Sequence, residues 1–102
     1  MDKLRALEYF VTSAQEHSFS GAARRLGLSV PAITRLVGML EQSLGVALFD
    51  RTVQGITLTA DGARYLEACQ PLLQGLTDAD DVLRGAVMRP RGTVVVGASP
   101  IL

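Results

Sequence analysis

The chain has 102 residues, 48% apolar and only 5% aromatic, and its ten basic and ten acidic side chains leave a formal net charge of zero. That is one domain's worth with at most a short appendage, and so aliphatic a core favours helices over a sandwich or barrel. No apolar run nears the ~20 residues that cross a bilayer, and the charged start "MDKLRALEYF" lacks a signal-peptide block, so a cytoplasmic protein without a membrane partner is expected. One cysteine and one histidine exclude an internal disulfide and a zinc site.

In chain order, Asp2 is placed to cap a first helix from Lys3 to about His17. Leu4, Leu7, Phe10, Val11 and Ala14 recur along it at helical spacing as one buried stripe. Phe19 reads as a core anchor in the link. Ser20 is expected to cap a short second helix through Leu26, with Ala22, Ala23 and Leu26 inward. Gly27 supplies a left-handed turn and Leu28 is expected to plug the corner. Ser29 then caps a third helix whose first turn holds Pro31, where a missing N–H has no intrahelical partner to lose. Ile33, Val37, Leu40 and Leu44 form the inner stripe of that helix, and Gly45 ends it.

Next, "ALFD" and "ITLT" predict two short strands joined by a glycine-containing loop. Thr59 caps a long helix from Ala60 to about Val87, with an apolar stripe of Tyr65, Ala68, Leu72, Leu76, Ala79, Leu83 and Ala86. Pro71 and Gly75 inside it predict a bend near Gln70. A breaker and one isolated strand, "RPRGTVVVGASP", close the chain.

Helix, one-glycine turn, helix is the arrangement of a helix-turn-helix, in which a short helix braces a second one that enters the major groove. Residues off the buried stripe of the third helix would then face base edges. Arg35 can pair with guanine, Thr34 can bond to bases or phosphate, and Val30 and Pro31 can pack on thymine methyls. The hairpin makes a wing, with Arg51 and Thr52 at its base and Gln54 near its tip. Charge placement agrees. Between His17 and Leu40 there are three arginines (Arg24, Arg25, Arg35) and no acid, while Asp78, Asp80 and Asp81 collect elsewhere. A helical bundle with three solvated arginines is the plain alternative. The hairpin and long helix following directly make the combination more specific. His17 is assigned to the helix terminus or solvent, and no nucleophile–base pair, phosphate loop or metal spacing suggests an enzyme.

From Leu4 to about Leu76 the chain resembles the N-terminal domain of LysR-type transcriptional regulators. The matching pieces are "LEYFVTSAQEHSFSGAARRLGLSVPAITRLVGMLEQSLGVALFDRT" and "LTADG", and the terminal "RGTVVVGAS" is similar to the opening strand of that family's effector-binding domain. The resemblance implies a mainly α chain: three helices and a two-stranded wing, then a long dimerisation helix. Residues 1–59 would be the winged helix-turn-helix, with the helix-turn-helix at about 19–38 and the wing at about 46–58. Residues 60–88 would be the linker helix, and 89–102 a hinge and the first strand of an effector domain continuing past Leu102. The DNA-contacting positions would be Ser29, Val30, Pro31, Thr34, Arg35, Arg51, Thr52 and Gln54. The dimer seam would hold Tyr65, Cys69, Leu72, Leu76 and Leu83. Double-stranded DNA and a second copy are the implied partners, with tetramers at full length and RNA polymerase a further candidate. No cofactor is expected in these residues; the effector domain would take a small molecule.

Three positions depart from the family pattern. Val30 stands where many members have glutamine, Gln54 where a basic wing residue is common, and Gly38 where arginine often meets phosphate. Weaker or altered DNA affinity follows. Molybdate-type regulators share a similar N-terminal domain, but "TVVVGAS" favours the LysR-type continuation. The competing class is a winged-helix protein-interaction module with weak or no DNA binding.

Overall fold

The computed structural model describes the backbone of residues 1–88 and the side chains of residues 1–84. Three helices, α1 (Lys3–Glu16), α2 (Phe19–Leu26) and α3 (Val30–Leu44), lead into strands β1 (Phe49–Thr52) and β2 (Gly55–Leu58). The long helix α4 (Ala60–Met88) follows. No helix among the described residues is long and apolar enough to cross a membrane.

Helix starts follow local side-chain chemistry, because a short oxygen-bearing residue satisfies an N–H that the helix leaves unpaired. Asp2 Oδ1 accepts from the Arg5 N–H at 3.1 Å, and Ser29 Oγ from the Ala32 N–H at 3.3 Å. Thr59 does two jobs: its Oγ1 accepts from the Gly62 N–H at 2.9 Å and donates to the Ala47 carbonyl at 2.7 Å. The second helix departs from expectation. Its cap is Ser18, whose Oγ accepts from the Gly21 N–H at 3.0 Å, and Ser20 lies exposed within the first turn. The earlier start follows from α1 ending at His17 in the left-handed region (φ 55°), so a two-residue link suffices. It also seats the Phe19 ring edge-on against Phe49, with centroids 5.6 Å apart.

Gly27 ends α2 with φ 69°, a conformation that a Cβ would strain, and the Leu28 N–H closes the turn on the Ala23 carbonyl at 2.9 Å. Leu28 itself is exposed and does not plug the corner. Ala22 and Ala23 are buried, and their small side chains let α2 pack against both α1 and α3. Phe10 lies at the centre of the core, 5.4 Å from the Phe49 ring and 5.6 Å from Tyr65. Around it Ala6, Ile33, Val37 and Leu40 are fully buried. Leu4 leaves the expected stripe: it is 50% exposed and lines a groove of about 870 Å³ between α1 and α4.

The strands pair antiparallel, Phe49 opposite Leu58 and Thr52 opposite Gly55. The expected first strand began two residues earlier, at Ala47. The Glu41 carboxylate takes the Leu48 and Phe49 N–H groups, at 2.7 and 3.2 Å, so neither is free to bond across to β2. Leu48 also receives the Thr59 N–H on its carbonyl at 3.0 Å. Helix α4 is continuous through Pro71 and Gly75. It begins pressed against the wing: a Cβ on Gly62 would overlap the Leu48 carbonyl and come within 3.0 Å of Leu58 Cδ2. Tyr65, Leu66, Cys69 and Leu73 continue that inward face. The expected terminal strand lies outside the described residues.

Candidate nucleic-acid interface

Helix α3 has two unlike sides. Ile33, Val37 and Leu40 are fully buried, at steps of four and three residues that keep them on one stripe. At the N-terminal end Ser29, Val30, Pro31 and Arg35 are exposed and Thr34 is half-buried. Pro31 and Arg35 lie across the helix from the stripe, whereas Val30, three residues before Ile33, continues it beyond the covered core. The structure thus gathers the five expected positions, Ser29 at the cap and four on the helix, around the exposed N-terminal end of α3. Val30 and Pro31 offer only carbon, so this face can distinguish a methyl from a polar base edge. The Arg35 guanidinium has no side-chain partner among the described residues, and its donor fork is available. Thr34 Oγ1 donates to the Pro31 carbonyl at 3.2 Å, which leaves its lone pairs as the outward function.

The wing residues divide differently. The Arg51 guanidinium lies 5.2 Å above the Phe19 ring centroid and 3.5 Å from Glu41 Oε1. Thr52 is occupied in shaping the turn: its hydroxyl donates to the Gly55 carbonyl and accepts from the Gln54 N–H, both at 3.2 Å. Gln54 and Val53 are exposed at the tip. Of the other cations, Arg25 is tied to Gln15 at 2.8 Å and Glu16 at 3.3 Å, whereas Arg24 has no side-chain partner among the described residues. The charge stays local. On α4, Asp81 is paired with Arg84 at 3.1 Å and Asp78 accepts from Gln74 at 2.9 Å, so much of the acid lies on the long helix.

Of the residues expected at a dimer seam, Cys69 is buried within this chain and Tyr65 is half-buried against its core. Cys69 is 2% exposed and Tyr65 packs on Phe10. Burial pushes the Cys69 thiol up, and burial with Cys69 beside it raises the Tyr65 hydroxyl, so both stay protonated and serve packing. The cause is simple: these two side chains lie on the stretch of α4's apolar stripe that α1 covers, whereas the stripe beyond it is left open. Leu72, Leu76 and Leu83 stay exposed, the last at 77%.

Sequence reasoning passed over Glu41. It is the one acidic residue between Glu16 and Asp50, and that isolation was the available signal. Its partners are backbone groups at Leu48 and Phe49, which no spacing rule connects to it.

Residues 4–63 match the sequence model of the bacterial regulatory helix-turn-helix proteins of the lysR family. The HTH-type transcriptional regulator ClcR of Pseudomonas putida is 41% identical over 109 residues, covering 98% of this chain and 37% of its own length. BsdA of Bacillus subtilis, also an HTH-type transcriptional regulator, is 36% identical over 97 residues, covering 94% of this chain and 33% of its own length. The chain therefore spans about a third of the length of these curated relatives. Among solved structures, the DBD of CbnR in complex with DNA superposes with a TM-score of 0.73 at 40% identity, covering 84% of this chain and 98% of that one. The DBD of BenM with catB site 1 DNA gives 0.76 at 28% identity, covering 86% and 98%.

Proposed function

The chain belongs to the lysR family of bacterial regulatory helix-turn-helix proteins, and on that premise we propose that it is a transcriptional regulator that binds double-stranded DNA by sequence. The observation that carries this reading is the free, nearly uncharged face at the start of α3, held on a fully buried stripe. In that reading the N-terminal end of α3 enters the major groove. Arg35 pairs with a guanine edge, Val30 and Pro31 pack on thymine methyls, and the wing meets the phosphate backbone through Arg51. Two copies pack their α4 helices antiparallel, joined by Leu72, Leu76 and Leu83, and read an interrupted inverted repeat. The exposed leucines and the groove beside Leu4 support that pairing.

Selection from random duplex DNA tests the proposal. The wild-type chain should recover two inverted half-sites with thymine facing Val30. Val30→Gln should change the preference at that base alone, and stability by less than ~0.5 kcal/mol, because the side chain stands on the solvent side. Arg35→Ala should leave melting unchanged and cost ~1–3 kcal/mol of discrimination at one base pair. Recovery of no sequence by the wild type would leave a protein-interaction module as the better account. If both variants recover the wild-type sequence, α3 is not the reading surface.

A further inference from the structure

Glu41 emerges as a positioning residue for the wing. Its side chain is 17% exposed although it carries a charge, and it projects from the last turns of α3 toward the start of β1. Oε2 accepts two backbone N–H groups, from Leu48 at 2.7 Å and Phe49 at 3.2 Å. A carboxylate gripped by two amides in a sheltered site has little freedom to rotate. Its second oxygen, Oε1, is thereby fixed 3.5 Å from Arg51 Nη2. That is one long contact to one of five donors, and the Arg51 side chain stays 52% exposed. The opposite constraint comes from α2, whose Phe19 ring lies under the guanidinium at 5.2 Å and is itself held edge-on by Phe49.

We infer that Glu41 and the Phe19 ring together hold the Arg51 guanidinium in the pose in which it meets a DNA phosphate, so that Glu41 strengthens DNA binding although its charge repels DNA. The inference rests on the DNA-binding reading above. It sets geometry against net charge. An acid facing an anionic ligand weakens binding by Coulomb repulsion, so if charge alone mattered, neutralising it would tighten the complex. If position matters more, neutralisation frees Arg51 and weakens the complex.

Glu41→Gln decides between them, because the amide oxygen can still accept the Leu48 and Phe49 N–H groups while the ion pair is removed. The probe is a fluorescent duplex recovered by selection with the wild-type chain, titrated by anisotropy at several salt concentrations. Affinity should fall about tenfold, the scale of one charge-assisted hydrogen bond. The slope of log K against log salt should become shallower by ~0.9 for each phosphate that Arg51 ceases to neutralise. In an Arg51→Ala background the same substitution should change affinity by less than about twofold, since its route of action is gone. Equal or tighter binding by Glu41→Gln, with an unchanged salt slope, overturns the inference and leaves the DNA-binding reading intact. So does an undiminished tenfold fall in the Arg51→Ala background, which would assign Glu41 to wing folding alone. A wild-type chain that selects no duplex overturns both.

Discussion

The two halves of α4 share one helix and one kind of apolar spacing, and they meet opposite environments. In the near half, Gly62 lies against the Leu48 carbonyl and Cys69 is 2% exposed beneath Tyr65. From Leu72 onward the stripe is open: Leu72 is 61% exposed, Leu76 46% and Leu83 77%. An apolar repeat on a helix states only that something must cover it, and not whether the cover comes from the same chain. Here α1 covers the first turns and then ends, because α1 has 14 residues and α4 has 29. What runs past α1 stays uncovered in the single chain, Leu83 at 77% exposed.

Substitutions in each half should therefore fail in different ways. The largest effect is expected from Gly62→Ala. Its new methyl would collide with backbone at Leu48 and not with a yielding side chain, so unfolding free energy should drop by ~3 kcal/mol, the upper part of the range for overpacking. A urea midpoint that hardly moves would mean that α4 is not pressed onto the wing. Next in size, Leu76→Glu should weaken association by ~2–3 kcal/mol through loss of a buried leucine. It should leave the dilute protomer's stability within ~0.5 kcal/mol of wild type. Sedimentation equilibrium reads the first quantity and urea titration the second. A dimer that survives would place the seam elsewhere.

The smallest effect is in alkaline solution. Burial holds the Cys69 thiol protonated in the folded chain, with its pKa above the ordinary 9.0, so the unfolded chain loses that proton first as pH rises. The associated stability is whole below pH 9.0 and drains away as pH climbs through the raised value. Cys69→Ala should flatten that part of the pH–stability curve, and Leu83→Ala should leave it alone. Matching curves for the cysteine variant and wild type would refute the assignment of Cys69 to the core.

What could be read from the sequence was chemistry that acts within a few residues. Asp2, Ser29 and Thr59 cap helices because a side-chain oxygen can reach an N–H three positions on, and that rule needs no tertiary knowledge. The inner stripe of α3 followed from periodicity alone, whereas Val30, on the line of that stripe, is exposed because the core ends before it. The same local rule could not choose between Ser18 and Ser20, since both can cap; contact of Phe19 with Phe49, remote in sequence, favours Ser18. Leu48 was drawn into a strand by composition, yet its N–H belongs to Glu41, seven residues earlier. Spacing sets Cys69 beside the apolar stripe, and only the placement of α1 shows that this chain covers it. Each miss is a long-range partner deciding between local options that are nearly equal.

The close approach at Gly62 also has a mechanical side. With Leu48 bound to Glu41, Thr59 bound to Ala47 and no room for even a methyl between Gly62 and Leu48, the junction of wing and long helix is a weld and not a hinge. A helix of 29 residues is ~43 Å long at ~1.5 Å per residue. A tilt of about 10° at its root corresponds to a sweep of about 7 Å at its far end on that same geometry. Run in reverse, a displacement imposed on the far end turns the wing and α3 as one rigid body. Torque applied at the far end of α4 would then reach α3 undiminished by slack, and the lever would convert motion far from α3 into a change of angle there.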